Sequence, residues 1–222
     1  MKSWSYSRLK QYELCPHTQT LREQRAPKLD KPKNRGTELH ELLEEWFKTD
    51  DDVPKLFKKV ETRLLEMRDQ SREVEAEFGF NEEWSVVPYD EAFLRAKIDW
   101  LCFPEPEIVI IRDFKTGKSW GNEVNHIQQL QFYACCAMMK HKEVQTFNVG
   151  DLYVDEGKET NFTWDLPKVE RFFVNFTERS NRMFNDDLRL AKPSRSRCRF
   201  CDWGPSNGSG ACEYGVPWEQ NS

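Results

Sequence analysis

The sequence lacks any segment that would cross a membrane or direct the chain into a secretory pathway. No apolar run approaches the roughly 20 residues that span a bilayer. The N-terminal residues MKSWSYSRLK contain no apolar core of the kind found in signal peptides. We therefore expect a soluble, cytoplasmic protein without a membrane partner. Its 222 residues suit one large domain, or one domain with a small appendage, and no internal repeat is apparent.

The chain also lacks an excess of positive charge. Its 33 Lys and Arg are outnumbered by 38 Asp and Glu, for a formal net charge of -5. This balance argues against binding a polyanion through bulk charge. The average nevertheless conceals two basic segments, residues 22–35 and 188–200, and the second has five basic residues and no acidic one. Any nucleic-acid binding would therefore be local and sensitive to salt.

The chain also lacks an even number of cysteines. It has seven, and an odd number disfavours a fully paired disulfide framework. Of the seven, three lie in apolar segments and are expected to be small buried side chains. Four lie among polar residues, prolines and glycines, and they require another explanation. The buried group is Cys102, Cys135 and Cys136, and the second group is Cys15, Cys198, Cys201 and Cys212.

The spacing of the second group is typical of a metal centre. Cys198 and Cys201 form a C-x-x-C pair, in which two thiolates can bind one metal. Cys212 follows after a glycine-rich segment, and Cys15 is the remaining candidate for a fourth ligand. From the residues alone, tetrahedral zinc is the default. A redox pair is less favoured, because no strand–helix–strand pattern surrounds it.

Hydrophobic periodicity predicts a mixed α/β fold. Apolar residues at helical spacing mark amphipathic segments, whereas alternating or continuous apolar runs mark strands. The link FPEPE between the second and third strands is short enough to predict an antiparallel hairpin. The predicted helices cover residues 5–14, 36–48, 53–72, 123–140 and 167–190, and the predicted strands cover 73–80, 94–101, 108–114, 145–154 and 159–164.

The hairpin carries a group of charged residues with a possible chemistry. Asp113 and Lys115 point to the same side of their strand, and Asp99 lies on the polar face of the preceding strand. Two neighbouring carboxylates repel each other, and Mg²⁺ or Mn²⁺ relieves that repulsion. A metal-bound water becomes a nucleophile near neutral pH, and a lysine can orient it. An isolated Asp-x-Lys is a weak signal, because charged strand ends are ordinarily solvated.

Five segments in order give this hairpin a context. They are SYSRLKQYELCP at 5–16, RGTELH at 35–40, AKIDW at 96–100, RDFKTGK at 112–118 and QLQFY at 129–133. Over residues 5–212 the chain resembles the RecB-like exonuclease branch of the PD-(D/E)XK nuclease superfamily, and it is similar to CRISPR-associated and phage RecB-like exonucleases. The resemblance implies a restriction-endonuclease-like core, a small mixed β-sheet flanked by helices. One departure is Ala96, where the branch usually has glycine.

The resemblance also implies roles for individual residues. The implied metal ligands are His40, Asp99, Asp113 and the backbone carbonyl of Phe114, and Lys115 is the implied catalytic lysine. His40 also has a plainer interpretation as a hydrogen-bonded histidine at the edge of its helix.

On the next helix, Gln129 and Tyr133 share one face and correspond to the Q-x-x-x-Y motif of the catalytic region. Their alternative role is a hydrogen-bonded pair in the core. A further acidic residue is expected upstream of the hairpin, and both Glu75 and Glu77 are candidates.

A subset of these nucleases has one cysteine before the core and three after it, which together hold a four-iron, four-sulfur cluster. By this resemblance Cys15, Cys198, Cys201 and Cys212 would hold such a cluster, with zinc as the alternative. The separation of Cys201 and Cys212 along the chain is longer than is usual in close relatives within this subset. The implied organisation is a single domain, residues 1–222, with a nuclease core at about 36–187 and a cluster-binding region formed by 1–20 and 191–215.

The resulting functional hypothesis is a DNA exonuclease that uses one or two Mg²⁺ or Mn²⁺ ions on single strands or DNA ends, in recombination, repair or replication. Alternatives are an endonuclease or duplex-end nuclease of the same fold, and a non-catalytic nucleic-acid-binding protein with a structural zinc site. No helicase motif is present, so a helicase or recombination partner would be a separate chain. A bacterium or a virus-infected cell is the expected setting. Unpaired bases could stack on aromatics near basic residues, namely Tyr6, Arg8 and Tyr12, and Arg197, Arg199, Phe200 and Trp203.

Overall fold

The computed structural model describes residues 3–29, 35–70, 72–121 and 123–218 and divides into two compact units. The first unit comprises Met1–Ser5 and Lys33–Phe176, and the second comprises Tyr6–Pro32 and Thr177–Ser222. Part of the predicted basic segment 22–35, residues 30–34, lies outside the described residues. Within the described ranges, no helix is both long and apolar enough to cross a membrane.

A six-stranded mixed sheet forms the centre of the first unit. The strands follow the order β1-β2-β3-β4-β5, and β6 pairs with β4. The β2–β3 pair is antiparallel, as the short FPEPE link predicts. The β1–β2 pair is also antiparallel, whereas β3 and β4 are parallel. The strands are β1 (Arg72–Phe80), β2 (Leu94–Glu105), β3 (Ile108–Lys115), β4 (Thr146–Tyr153), β5 (Lys158–Glu159) and β6 (Phe162–Asp165).

Helices flank this sheet, which confirms the predicted fold class. The α-helices of the described residues are α1 (Tyr6–Leu14), α2 (His17–Glu23), α3 (Arg35–Trp46), α4 (Glu61–Arg68), α5 (Glu123–Lys140), α6 (Leu166–Phe184) and α7 (Arg195–Arg199). Leu39 and Leu43 of α3 belong to a buried cluster with Trp100 of β2, Phe114 of β3 and Leu152 of β4. Burying a side chain of this size contributes about 1.5–3 kcal/mol, so the cluster fixes α3 against the strands that carry Asp99 and Asp113.

The central part of α5 is also buried. Its residues 132–138 are all buried, and the helix contacts β3 and β4. Phe132 meets Phe176 of α6 edge-on, with 5.4 Å between the ring centroids. This packing fixes α5, and with it Gln129 and Tyr133, against the strands of the site.

Three predicted elements differ from the structure. The helix predicted at 53–72 is instead a 3₁₀ helix (Lys55–Val60), followed by α4, and residue 71 lies outside the described residues. The backbone of Phe57 (φ -100°, ψ 15°) is not helical, but its side chain still packs in the buried apolar cluster. The apolar residues of this segment therefore keep a helical spacing in the sequence although the helix is interrupted. The strand predicted at 159–164 is divided into β5 and β6. The last long helix ends at Phe184, not at residue 190. After its end, the Asp186 carboxylate accepts a hydrogen bond from the Arg189 backbone N–H, which forms a turn.

The second unit is held together by polar contacts between segments distant in sequence. Arg179 donates to both carboxylate oxygens of Glu13 at 2.7 Å. The hydroxyl of Tyr12 donates to Asp186 at 2.9 Å. The buried Trp203 donates its indole N–H to the Ala26 carbonyl at 3.1 Å. These contacts join α1 and the segment after α2 to the C-terminal part of the chain.

Candidate functional site

A cavity of about 430 Å³ in the first unit brings the predicted catalytic residues together. Four elements contribute: α3 supplies His40, β2 and β3 supply the charged residues of the hairpin, and α5 supplies the Q-x-x-x-Y pair. The seven predicted residues that line this cavity are His40, Asp99, Asp113, Phe114, Lys115, Gln129 and Tyr133. Their assignment as catalytic or metal-binding residues stays a prediction, but they share one accessible space.

His40 lies at the centre of a possible metal-binding group. Its Nδ1 is 3.4 Å from a carboxylate oxygen of Asp99 and 3.9 Å from one of Glu75, and ligand atoms of all three residues lie within 4.8 Å of one another. Its Nε2 is 2.8 Å from the Phe114 carbonyl. A carbonyl can only accept, so Nε2 carries a proton and Nδ1 faces the carboxylates. In the neutral imidazole, Nδ1 therefore presents a lone pair to a cation.

Charge balance explains why this arrangement suits a cation. Burial lowers the pKa of His40, but Asp99 and Asp113 outweigh burial and raise it to about 9. Burial, followed by the charge of Asp113, raises the pKa of Asp99 to about 6. The carboxylates thus attract a compensating positive charge, which His40 supplies here. One imidazole with carboxylate and carbonyl oxygens also fits the ligand preferences of Mg²⁺ or Mn²⁺.

Asp113, Lys115 and Gln129 form a second connected group. Lys115 Nζ forms an ion pair with Asp113 and donates to Gln129 Oε1 at 2.9 Å. The Gln129 amide nitrogen donates to Asp113 at 3.1 Å and to the Tyr133 hydroxyl at 2.7 Å. Burial lowers the pKa of Lys115, but the charge of Asp113 outweighs it and raises the pKa overall. The lysine is therefore charged, and the glutamine fixes its position.

The Gln129–Tyr133 contact matches the alternative of a hydrogen-bonded pair. Both residues nevertheless line the cavity, and Gln129 also bonds Asp113 and Lys115. The pair is therefore part of the same network as the candidate catalytic lysine.

The two upstream acidic candidates have different surroundings. Glu75 lies in the His40–Asp99 group and pairs with Lys97 at 2.7 Å, whereas Glu77 is exposed to solvent. Glu75 also has a positive φ of 52°, which is uncommon for a residue other than glycine and tends to occur at functional sites. The geometry therefore favours Glu75 as the additional acidic residue.

This difference predicts the behaviour of a matched pair of variants. Glu75→Gln keeps the side-chain volume but removes a negative charge from the His40–Asp99 group, so Mn²⁺ binding should weaken about 10–100-fold. Glu77→Gln makes the same chemical change at a solvent-exposed position of β1 and should bind Mn²⁺ within about twofold of the original protein. Isothermal titration with Mn²⁺ measures both. Equal Mn²⁺ affinities for the two variants would show that Glu75 is not part of the metal site.

Asp151 is a candidate site residue that sequence reasoning missed. It is buried on β4, and the parallel register places it directly beside Asp113. Among the described residues its Oδ1 has no hydrogen-bond partner. Burial, followed by the charge of Asp113, raises the pKa of Asp151 to about 7. An acidic residue within the apolar run of β4 was the available signal, but its meaning depends on the β3–β4 pairing.

The four cysteines outside the apolar segments meet in the second unit. Cys15, Cys198, Cys201 and Cys212 all line one cavity of about 90 Å³. Burial raises the pKa of Cys201 and of Cys212, and the neighbouring thiolates raise both further. Four sulfur donors around one space are the ligand set of a zinc or iron–sulfur centre. The other three cysteines are buried, as the apolar segments predict.

The aromatic residues suggested for base stacking have unequal access. Trp203 and Tyr6 are buried, and Tyr12 donates its hydroxyl to Asp186, so these rings serve the packing of the second unit. Phe200 is 75% exposed, with the Arg199 guanidinium 5.2 Å from its ring centroid. The prediction that unpaired bases stack on Trp203 and Tyr6 is therefore wrong, because the faces of these two rings are covered.

Comparison with known proteins covers nearly the whole chain. A family model described as the PD-(D/E)XK nuclease superfamily matches residues 3–206. A solved structure of a candidate exonuclease from Eubacterium rectale is 13% identical, with a TM-score of 0.54, covering 90% of this chain and 86% of that chain. The structure of SSO0001 is 12% identical, with a TM-score of 0.47, covering 97% and 88%. No curated protein sequence matches the chain.

Proposed function

The chain belongs to the PD-(D/E)XK nuclease superfamily, and from that premise we propose that it is a metal-dependent DNA exonuclease. The observation that carries the proposal is the single cavity lined by His40, Asp99, Asp113, Lys115 and Gln129. It combines a cation-binding group with a charged lysine whose position is fixed by hydrogen bonds. Both favour hydrolysis of a phosphodiester, because they offset the negative charge that develops on the phosphate as water attacks.

In this proposal the residues divide the work. His40, Glu75, Asp99, Asp113 and the Phe114 carbonyl would hold Mg²⁺ or Mn²⁺. A bound divalent ion lowers the pKa of a water molecule and offsets phosphate charge. Lys115, held by Gln129, orients the attacking water or stabilises the phosphate oxygens. Lys115 and Gln129 already bind the Asp113 carboxylate. A metal ion bound to Asp113 would therefore share that carboxylate with these two side chains.

Single-stranded DNA or a DNA end is the proposed substrate, in recombination, repair or replication. The candidate exonuclease from Eubacterium rectale has a similar fold and supports the exonuclease assignment by analogy. A helicase or recombination protein is proposed as a separate partner, and the cytoplasm of a bacterium or virus-infected cell as the setting.

One assay separates this proposal from its alternatives. End-labelled linear and covalently closed circular DNA, single- and double-stranded, are incubated with the protein and Mg²⁺ or Mn²⁺, with chelator as control. The exonuclease hypothesis requires release of labelled nucleotides from linear single strands while circles stay intact. Cutting of circles would identify an endonuclease. Metal-independent binding without cleavage of any substrate would identify a non-catalytic binding protein.

For the cysteine centre we infer a four-iron, four-sulfur cluster held by Cys15, Cys198, Cys201 and Cys212. All four line one cavity, and they follow the order of the iron–sulfur subset, with one cysteine before the core and three after it. That order favours the cluster, with zinc as the alternative. Its role would be structural, linking the segment after α1 to the C-terminal residues of the second unit.

A further inference from the structure

The segment between β3 and α5 places an exposed tryptophan at the rim of the catalytic cavity. Trp120 is 67% exposed, yet it lines the same cavity as Asp113 and Lys115. Lys118 lines it too, with its Nζ 5.3 Å from the centroid of the Trp120 ring. A single exposed aromatic residue is ordinary on a protein surface. Its position beside the candidate reacting groups, together with a cation, is not explained by packing.

Hydrogen bonds hold this segment in place. Asp155 accepts from the Gly117 backbone N–H at 2.6 Å, and Glu156 accepts from the Ser119 backbone N–H at 3.0 Å. Both carboxylates belong to the turn between β4 and β5, and Arg35 pairs with Asp155. The backbone on either side of Lys118 is therefore anchored to the first unit. A segment with an anchored backbone loses less conformational freedom when its side chains bind a ligand.

We propose that Trp120 stacks on an unpaired nucleobase next to the scissile phosphate, while Lys118 contacts a neighbouring phosphate. The inference rests on the proposed nuclease function and specifies its substrate as single-stranded DNA. An exposed indole offers a flat π surface that any base can cover, and a nearby ammonium group suits the backbone that links the bases. A base within a duplex is already paired and stacked on both sides, so it reaches the ring only after unpairing. The ring would thereby select single strands or frayed ends.

The position of Trp120 provides its own matched controls. Trp120→Ala removes the stacking surface, whereas Trp120→Phe keeps an aromatic face. Val124, at the start of α5, is also exposed, so Val124→Ala trims a nearby apolar side chain without touching an aromatic ring. Neither residue is buried, so the variants should keep the melting temperature of the original protein.

Fluorescence anisotropy with a labelled single-stranded oligonucleotide, in chelator to prevent cleavage, gives the dissociation constants. We expect Trp120→Ala to bind about 5–100-fold more weakly, and Trp120→Phe and Val124→Ala to bind within about threefold of the original protein. Blunt duplex binding should change less than twofold in all three variants. Equal single-strand binding by Trp120→Ala would overturn the proposal. So would parallel losses on single strands and duplex, which would indicate a general DNA-contact surface without selection for unpaired bases.

An abasic oligonucleotide series tests the stacking itself. Removing the one base that rests on Trp120 should weaken binding by the original protein, yet have little further effect on Trp120→Ala. Independent, additive losses from the missing base and the missing ring would contradict direct stacking. These binding measurements are separable from the proposed function. If the protein binds with this pattern but cleaves no DNA with any divalent ion, the nuclease proposal fails and the stacking site stands.

Discussion

Asp113→Asn should cut DNA at least about 1,000-fold more slowly than the original protein, and it should also bind Mn²⁺ more weakly. The substitution keeps the size of the side chain and removes its charge. In the structure that charge is the ion-pair partner of Lys115, and it raises the pKa of His40, Asp99 and Asp151. The charge of Asp113 therefore supports both the candidate metal site and the position of the lysine.

Lys115→Ala separates these two contributions. We expect kcat to fall about 100–1,000-fold, because the ammonium group proposed to orient the attacking water or stabilise the phosphate oxygens is gone. Metal affinity should be preserved or increased, because Lys115 no longer competes for the Asp113 carboxylate. Lys168→Ala provides the control, since it removes an exposed lysine from the first turn of α6. Single-turnover cleavage with saturating Mn²⁺, together with titration calorimetry, measures both effects.

Specific outcomes would refute the site assignment. Cleavage by Asp113→Asn or Lys115→Ala at the rate of Lys168→Ala would place the catalytic groups elsewhere. A loss of metal binding in Lys115→Ala would contradict the competition inferred from its ion pair. Near-ultraviolet circular dichroism checks that each variant retains its folded structure, because Asp113 is buried.

The sequence predicted that the residues of this cavity would lie close together, because they lie on strongly patterned elements. Asp99, Asp113 and Lys115 are on two strands joined by a short link, so local pairing alone brings them together. Gln129 and Tyr133 are four residues apart on one helix, which fixes their common face. The predicted mixed sheet with flanking helices follows from the same periodicities.

The residues that sequence reasoning missed, or could not choose between, depend on long-range geometry. Asp151 joins Asp113 only through the parallel β3–β4 pairing, which periodicity does not encode. Glu75 differs from Glu77 through a positive φ and its proximity to His40, both set by tertiary structure. Trp120 belongs to a segment without a regular pattern, whose backbone is held by carboxylates 37 and 38 residues later in the chain. The kink near Phe57 was hidden because its apolar spacing remains helical.

Cys198→Ser should abolish metal binding in the second unit and lower the stability of the protein. Without a cation, burial and neighbouring thiolates favour protonated sulfur at Cys201 and Cys212. A metal centre reverses this preference, because thiolates are the binding form and their negative charge is compensated. The binding free energy then stabilises the folded chain, since the unfolded chain does not preform the site. Loss of one of four ligands should thus cost several kcal/mol.

Protein purified without oxygen should contain about four iron atoms per chain and absorb visible light, whereas Cys198→Ser should contain little iron. A stability loss of about 3–5 kcal/mol would lower the melting temperature by roughly 6–20 °C for a chain of this size. Cys102→Ala is the control, because that buried thiol on β2 donates to Gln70 and lies outside the centre. One zinc ion per chain and no visible absorbance would show that the centre is a zinc site and not an iron–sulfur cluster. An unchanged metal content and melting temperature in Cys198→Ser would contradict a metal centre of either kind, because C-x-x-C supplies half of its ligands.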